Sequence, residues 1–116
     1  MNEVTIYHNK SCGTSRKGLS LIEDMGIKPK IRLYLNDPFT KEELKEVITE
    51  LGIKPEELVR KKEQIYKDNY SQKQYTDDEW IQIMLDNPRL IERPIVVYHN
   101  KAVIGRPIEK ISELLA

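Results

Sequence analysis

Short apolar runs alternate with polar segments along the chain, and each run carries the spacing of a strand or of a helix. Glu3 to His8 (EVTIYH) is β-branched and aromatic and closes on Asn9-Lys10-Ser11, which predicts a buried first strand. Gly13-Thr14-Ser15 supplies helix-start chemistry, and Leu19, Ile22 and Met25 recur every three residues until Gly26 ends the run. Ile31 to Leu35 (IRLYL) predicts a second strand, and a strand-helix-strand passage of this length implies a right-handed crossover to a parallel neighbour.

Asn36-Asp37-Pro38 breaks this pattern. Thr40 with Glu43 forms a capping box, Phe39 and Leu44 a hydrophobic staple, and Leu44, Val47, Ile48 and Leu51 one apolar helix face that Gly52 stops. Pro55 suits the first position of a short helix carrying Leu58 and Val59. From Arg60 to Tyr75 the only aliphatic residue is Ile65, so this stretch reads as a mobile surface segment. Thr76 and Glu79 then repeat the capping box, Tyr75 staples onto Trp80, and Trp80, Ile83 and Met84 give a buried stripe that Asn87-Pro88 closes. Ile95 to Tyr98 and Ala102 to Ile104 flank His99-Asn100-Lys101 as an antiparallel hairpin. Pro107 opens a last helix with apolar positions at Ile108, Ile111, Leu114 and Leu115. The order predicts an α/β fold: a mixed four-stranded sheet carrying helices, with an all-helical insertion from about Asp37 to Asn87.

Composition narrows the class. With 116 residues the chain makes one domain, 1–116, and no more. Lys plus Arg is 19 and Asp plus Glu is 19, so no overall field draws it to nucleic acid or anionic lipid, and any anion site must be local. The basic and aromatic run from Arg60 to Tyr75 is interrupted by acids and matches no nucleic-acid motif. No apolar run approaches the roughly 20 residues of a membrane span, and MNEVTIYHNK lacks the order of a secretory signal. A cytoplasmic protein is expected.

The single cysteine, Cys12, excludes an intrachain disulfide and any dithiol cycle confined to this chain. Thiol exchange at Cys12 therefore needs a second thiol from outside. Two histidines at distant positions and one cysteine make no metal site. A lone cysteine is most often a small buried hydrophobe, but the polar surroundings and the helix start weigh against that here. At a helix N-terminus the unpaired N–H groups favour thiolate, the nucleophilic form. Gly13 leaves room for a reacting atom, and the amides of Gly13, Thr14 and Ser15 can bind an oxyanion attached to the sulfur. Ser15 occupies the second position of a C-x-x-C pattern and cannot close a disulfide. His8, at the end of the first strand, can pair with the thiolate or help depress its pKa. Arg93 and Arg106 each precede a proline, which restricts where each guanidinium points, and Arg93-Pro94 is a candidate cis peptide. An arginine taken singly is more often a solvated charge, yet its fork suits a tetrahedral oxyanion, and Arg60 can supply a third.

HNKSCGTSR at 8–16, followed by ERPI at 92–95 and GRP at 105–107, resembles the glutaredoxin-coupled arsenate reductases and their relatives. The stretch RKKEQIYKD, starting at Arg60, looks closer to the reductase-like branch of that family than to its established arsenate reductases. The resemblance covers essentially the whole chain. It implies a thioredoxin/glutaredoxin-like fold with a helical insertion and a cis proline at Pro94. It implies Cys12 as the nucleophile on arsenate, Arg60, Arg93 and Arg106 as the oxyanion-holding arginines, and His8 and Ser15 as neighbours of the thiolate. It further implies glutathione as co-substrate, with no bound cofactor, and glutaredoxin as partner. A related branch of redox-responsive regulators docks on RNA polymerase, which gives a binding module without catalysis as the alternative.

Overall fold

In a computed structural model the chain is described over residues 3–116 and divides into two compact units. The first comprises the chain up to Asp37 together with Arg93–Ala116, and the second is Pro38–Glu92.

The first unit is built on a sheet in the order β2-β1-β3-β4, where β1 is Thr5–Tyr7, β2 Lys30–Arg32, β3 Ile95–Tyr98 and β4 Lys101–Ile104. β1 is central, parallel to β2 through Ile6↔Ile31 and antiparallel to β3 through Ile6↔Val96. The β3–β4 hairpin turns on His99 and Asn100, with φ of 53° and 61°; two consecutive left-handed residues give the local twist that a two-residue hairpin needs. The helix α1, Gly13–Asp24, joins β1 to β2, and α5, Glu109–Leu115, follows β4. Ile22 of α1 and Ile111 of α5 close on Val4, Ile6 and Val96 to form the core, with Ile6, Ile22, Val96 and Ile111 wholly buried.

Three expectations need correction in this unit. The second strand begins at Lys30 and ends at Arg32, because Leu33–Asp37 turns: Asp37 N–H donates to Leu33 C=O at 2.8 Å, and Arg32 Nε holds the Asp37 carboxylate at 3.0 Å. Tyr34 is buried in that turn, while Ile31 and Leu35 are among the exposed large apolar residues. Met25 is likewise exposed: it caps α1, and Gly26 at φ 78° reverses the chain, so the buried stripe ends at Ile22. The last helix begins at Glu109 rather than at Pro107.

In the second unit α2, Lys41–Leu51, is opened by Thr40, whose Oγ1 accepts from Glu43 N–H at 3.1 Å while Glu43 Oε1 accepts from Thr40 N–H at 2.9 Å. Gly52 ends it at φ 69°, and Leu44, Val47 and Ile48 are buried. A 3-10 turn at Pro55–Leu58 leads to Val59, which bridges to Ile91. The helix α4, Asp77–Asp86, repeats the box through Thr76 and Glu79. Its buried stripe is Trp80, Ile81 and Met84, with Ile83 only half-buried. The segment expected to lack an anchor carries α3, Gln64–Asn69, and its anchor is aromatic: Tyr66 stacks on Trp80 at 6.2 Å, Tyr75 meets Trp80 edge-on at 4.8 Å, and Tyr70 meets Tyr75 at 5.9 Å. Among the described residues no helix is long and apolar enough to cross a membrane.

Candidate active site

Cys12 stands at the N-cap of α1 with extended backbone, φ −98° and ψ 121°. Its N–H donates to Asn9 C=O and its C=O accepts from Arg16 N–H, both at 3.0 Å, while Asn9 Oδ1 accepts from Ser11 N–H at 2.9 Å. The loop from β1 to α1 is thus tied by its own polar groups, which is how a polar run between a strand and a helix fixes a half-buried sulfur.

Ser15 is wholly buried one turn into α1. Its hydroxyl oxygen accepts from Asn9 N–H at 3.1 Å and lies 2.7 Å from His8 Nδ1. Burial, and then the charges of Arg16 and Lys10, hold the His8 imidazole below its ordinary pKa. The ring and the hydroxyl share one hydrogen bond, whichever of the two donates. His8 therefore braces Ser15 and the first turn, and its lowered pKa favours the uncharged ring.

The charge comes from arginine. Arg106 Nη2 lies 3.3 Å from Cys12 Sγ, and Arg106 Nε donates to Arg93 C=O at 2.8 Å. Arg93 is buried and its side chain hydrogen-bonds the same sulfur. Burial on its own pushes the Cys12 thiol up. The Ser15 N–H, the Arg93 hydrogen bond and the charges of Arg106 and Arg93 outweigh it, and the thiol sits below its ordinary value.

The two arginines reach the sulfur from 81 and 94 positions away, carried there by the segments around β3 and β4. Both Arg93-Pro94 and Arg106-Pro107 are cis, where the sequence pointed only to the first. Gly105 N–H donates to Pro94 C=O at 2.8 Å. A Cβ on Gly105 would lie 2.8 Å from Ile111 Cδ1 and 2.9 Å from Pro94 Cγ, so this approach admits only glycine without rearrangement. The repeated Arg-Pro pairs were the visible signal of these two segments; nothing in the sequence marked Gly105 as the residue that lets them close.

At the mouth of the site Gly13 is exposed and Thr14 half-buried. A Cβ on Gly13 would meet only Arg16 Nη2, at 3.7 Å, so there is open space beside the sulfur's neighbour. Arg60 belongs to the second unit, where its Nη1 lies 3.3 Å from Glu63 Oε2 and its Nε 3.8 Å from Glu92 Oε1. Among the described residues no three His, Cys, Asp or Glu side chains cluster as metal ligands would.

A mixed four-stranded sheet with a thiolate-favouring cysteine at the start of its first helix defines a thioredoxin-like oxidoreductase. Residues 7–114 match the ArsC family. YfgD of Escherichia coli K12, named as an uncharacterized protein, is 42% identical over 115 residues, 97% of each chain. An arsenate reductase of the same organism is 41% identical over 116 residues, 99% of this chain and 82% of its own. A solved arsenate reductase from Vibrio cholerae superposes with a TM-score of 0.91 at 42% identity, covering 96% of both chains. The chain belongs to the ArsC family.

Proposed function

We propose that the protein reduces arsenate, using Cys12 as its one nucleophile and glutathione with glutaredoxin as external reductants. The observation that carries this reading is the pair of guanidinium groups, Arg93 and Arg106, on a sulfur whose pKa is lowered. A cation pair beside a thiolate suits a substrate that arrives as a tetrahedral oxyanion and becomes bonded to that thiolate. The arsenate reductases among its relatives supply the substrate.

The Cys12 thiolate attacks arsenic and an oxygen leaves as water once protonated, giving a sulfur–arsenic bond. A glutathione thiol displaces a second oxygen, again as water. A glutaredoxin thiolate then attacks the glutathione sulfur: the sulfur–arsenic electron pair stays on arsenic, As(V) becomes As(III), and a glutaredoxin–glutathione disulfide forms. Hydrolysis of the remaining bond returns Cys12 and releases arsenite. The relay consumes one protein thiol transiently and two external thiols permanently, as a chain with one cysteine requires.

In this reading Arg93 and Arg106 hold the oxyanion, Arg60 is the third cation, the amides of Gly13 and Thr14 complete its cradle, and Ser15 with His8 keeps the first turn in place. The chain acts as one thioredoxin-like domain, 1–116, in which the helical segment is an insertion, and it works in the cytoplasm beside its reductants. The test is arsenate-dependent oxidation of NADPH coupled through glutathione reductase, with glutathione and glutaredoxin present. Turnover is expected for the native protein and none for Cys12→Ser at unchanged circular dichroism. Absence of turnover in the native protein, or its survival in Cys12→Ser, overturns the proposal.

A further inference from the structure

A chain with one cysteine must take its second thiol from solution, and a thiol that attacks next to Cys12 needs somewhere to rest. One face of α1 offers a place. Gly13, Arg16, Lys17, Ser20 and Leu21 line a groove of about 580 Å³ together with Ile108, which precedes α5. That volume lies within the roughly 300–1,000 Å³ of small-molecule sites. The groove starts at the residue following the nucleophile and runs along the helix. Its walls are mostly apolar, Leu21 and Ile108 among them, and Arg16 and Lys17 bring two positive charges within about 8 Å of helix rise from Cys12. Arg16 is steadied by its Nη1, which donates to Lys10 C=O at 2.8 Å, and its Nη2 lies 3.7 Å from where a Gly13 Cβ would stand. The Lys17 side chain has no ion pair or hydrogen bond among the described residues. The single acid, Asp24, lies two turns beyond Lys17, away from the Cys12 end.

Resting on the reading of Cys12 as a nucleophile served by glutathione, we infer that this groove is the glutathione subsite, with the carboxylates of the tripeptide on Arg16 and Lys17 and its sulfur at the Gly13 end. Glutathione carries two carboxylates and one ammonium, and the groove presents its two cations on the side nearest the sulfur. Arg93 and Arg106 are left for the oxyanion, so co-substrate and substrate do not compete for the same guanidinium groups.

The test separates this inference from the reduction chemistry by using an unreactive ligand. S-methylglutathione is titrated into ¹⁵N-labelled Cys12→Ser protein. Amide shifts are expected at Gly13, Lys17, Ser20, Leu21 and Ile108, with binding weakened roughly fivefold by Lys17→Glu, less by Lys17→Gln, and weakened further by added salt, as a partly exposed ion pair requires. In turnover, Lys17→Glu should raise KM for glutathione by a similar factor and leave KM for arsenate unchanged. Shifts confined to another surface, or Lys17→Glu leaving both the binding and the glutathione KM unmoved, overturn the subsite even if arsenate is reduced. Shifts in the groove uphold it even if arsenate is not.

Discussion

At Cys12 opposing effects of burial and of charge meet on one atom, and the net direction is a lowered pKa. After the Ser15 N–H and the Arg93 hydrogen bond, the charge of the Arg106 guanidinium, 3.3 Å from the sulfur, is the next of the favourable contributions. Arg106→Ala should therefore move the midpoint of Cys12 alkylation against pH upward, and Arg106→Lys should restore part of the shift, because lysine keeps the charge without the planar fork. A midpoint that stays put in Arg106→Ala would sink this account. His8 gives a prediction of different sign and origin. Its folded pKa lies below its ordinary 6.5, so the folded state favours the neutral ring. Its contribution to stability is complete above pH 6.5 and is lost as pH falls through that value towards the folded pKa, where the ring must charge against burial, Arg16 and Lys10. In His8→Gln the midpoint of urea unfolding should lose less between neutral and mildly acidic pH than in the native protein. Equal acid sensitivity in the two proteins would place the titration elsewhere.

Among the elements, the chain entering α5 passes close to Pro94. A methyl group on Gly105 meets Ile111 Cδ1 at 2.8 Å and Pro94 Cγ at 2.9 Å, and both side chains are buried, so something in the core must shift to admit it. Gly105→Ala is expected to lower stability by about 1–3 kcal/mol, the usual cost of overpacking. Gly18→Ala meets the same two side chains at 3.0 Å, but in the middle of α1 alanine gains about 1 kcal/mol of helix propensity, so its net cost is smaller. Urea unfolding of both variants orders them, and a Gly105→Ala protein as stable as Gly18→Ala contradicts the packing argument. The same distinction between local and distant causes separates what could be read from the chain. Capping boxes at Thr40 and Thr76 and the Tyr75–Trp80 staple are legible because partners three to five residues apart are fixed by helix geometry. The choice of Ile81 over Ile83 for burial is not, since it depends on which neighbours α4 meets. Helix α3 was missed because its anchors, Tyr66, Tyr70 and Tyr75, are aromatic and half-buried, and periodicity of aliphatic residues does not register them.

For the molecule as a whole, the site is assembled by topology. Cys12 follows central β1, and the two arginines flank the hairpin whose strand β3 pairs with β1 on the side away from β2. The Arg-Pro pairs marked those segments in the sequence, but only the sheet order brings them to the same sulfur. Formal charge is zero, so an unfolded chain offers Cys12 no net field, and its thiol reverts to ordinary acidity once the arginines are dispersed. Unfolding then has two effects on alkylation: it increases access and removes the thiolate. Because the sulfur is already partly accessible in the folded protein, access has little to gain, and loss of ionisation decides the outcome below the ordinary thiol pKa of about 8.5. At mildly acidic pH the rate of reaction with iodoacetamide should fall as urea unfolds the protein, after correction for the reagent's rate with free cysteine in the same urea. The fall should follow the loss of β-sheet ellipticity and vanish when the experiment is repeated well above pH 9, where both states are ionised. A cysteine masked only by packing would do the opposite and react faster on unfolding, so an acceleration would mean that the fold hides this sulfur and does not activate it.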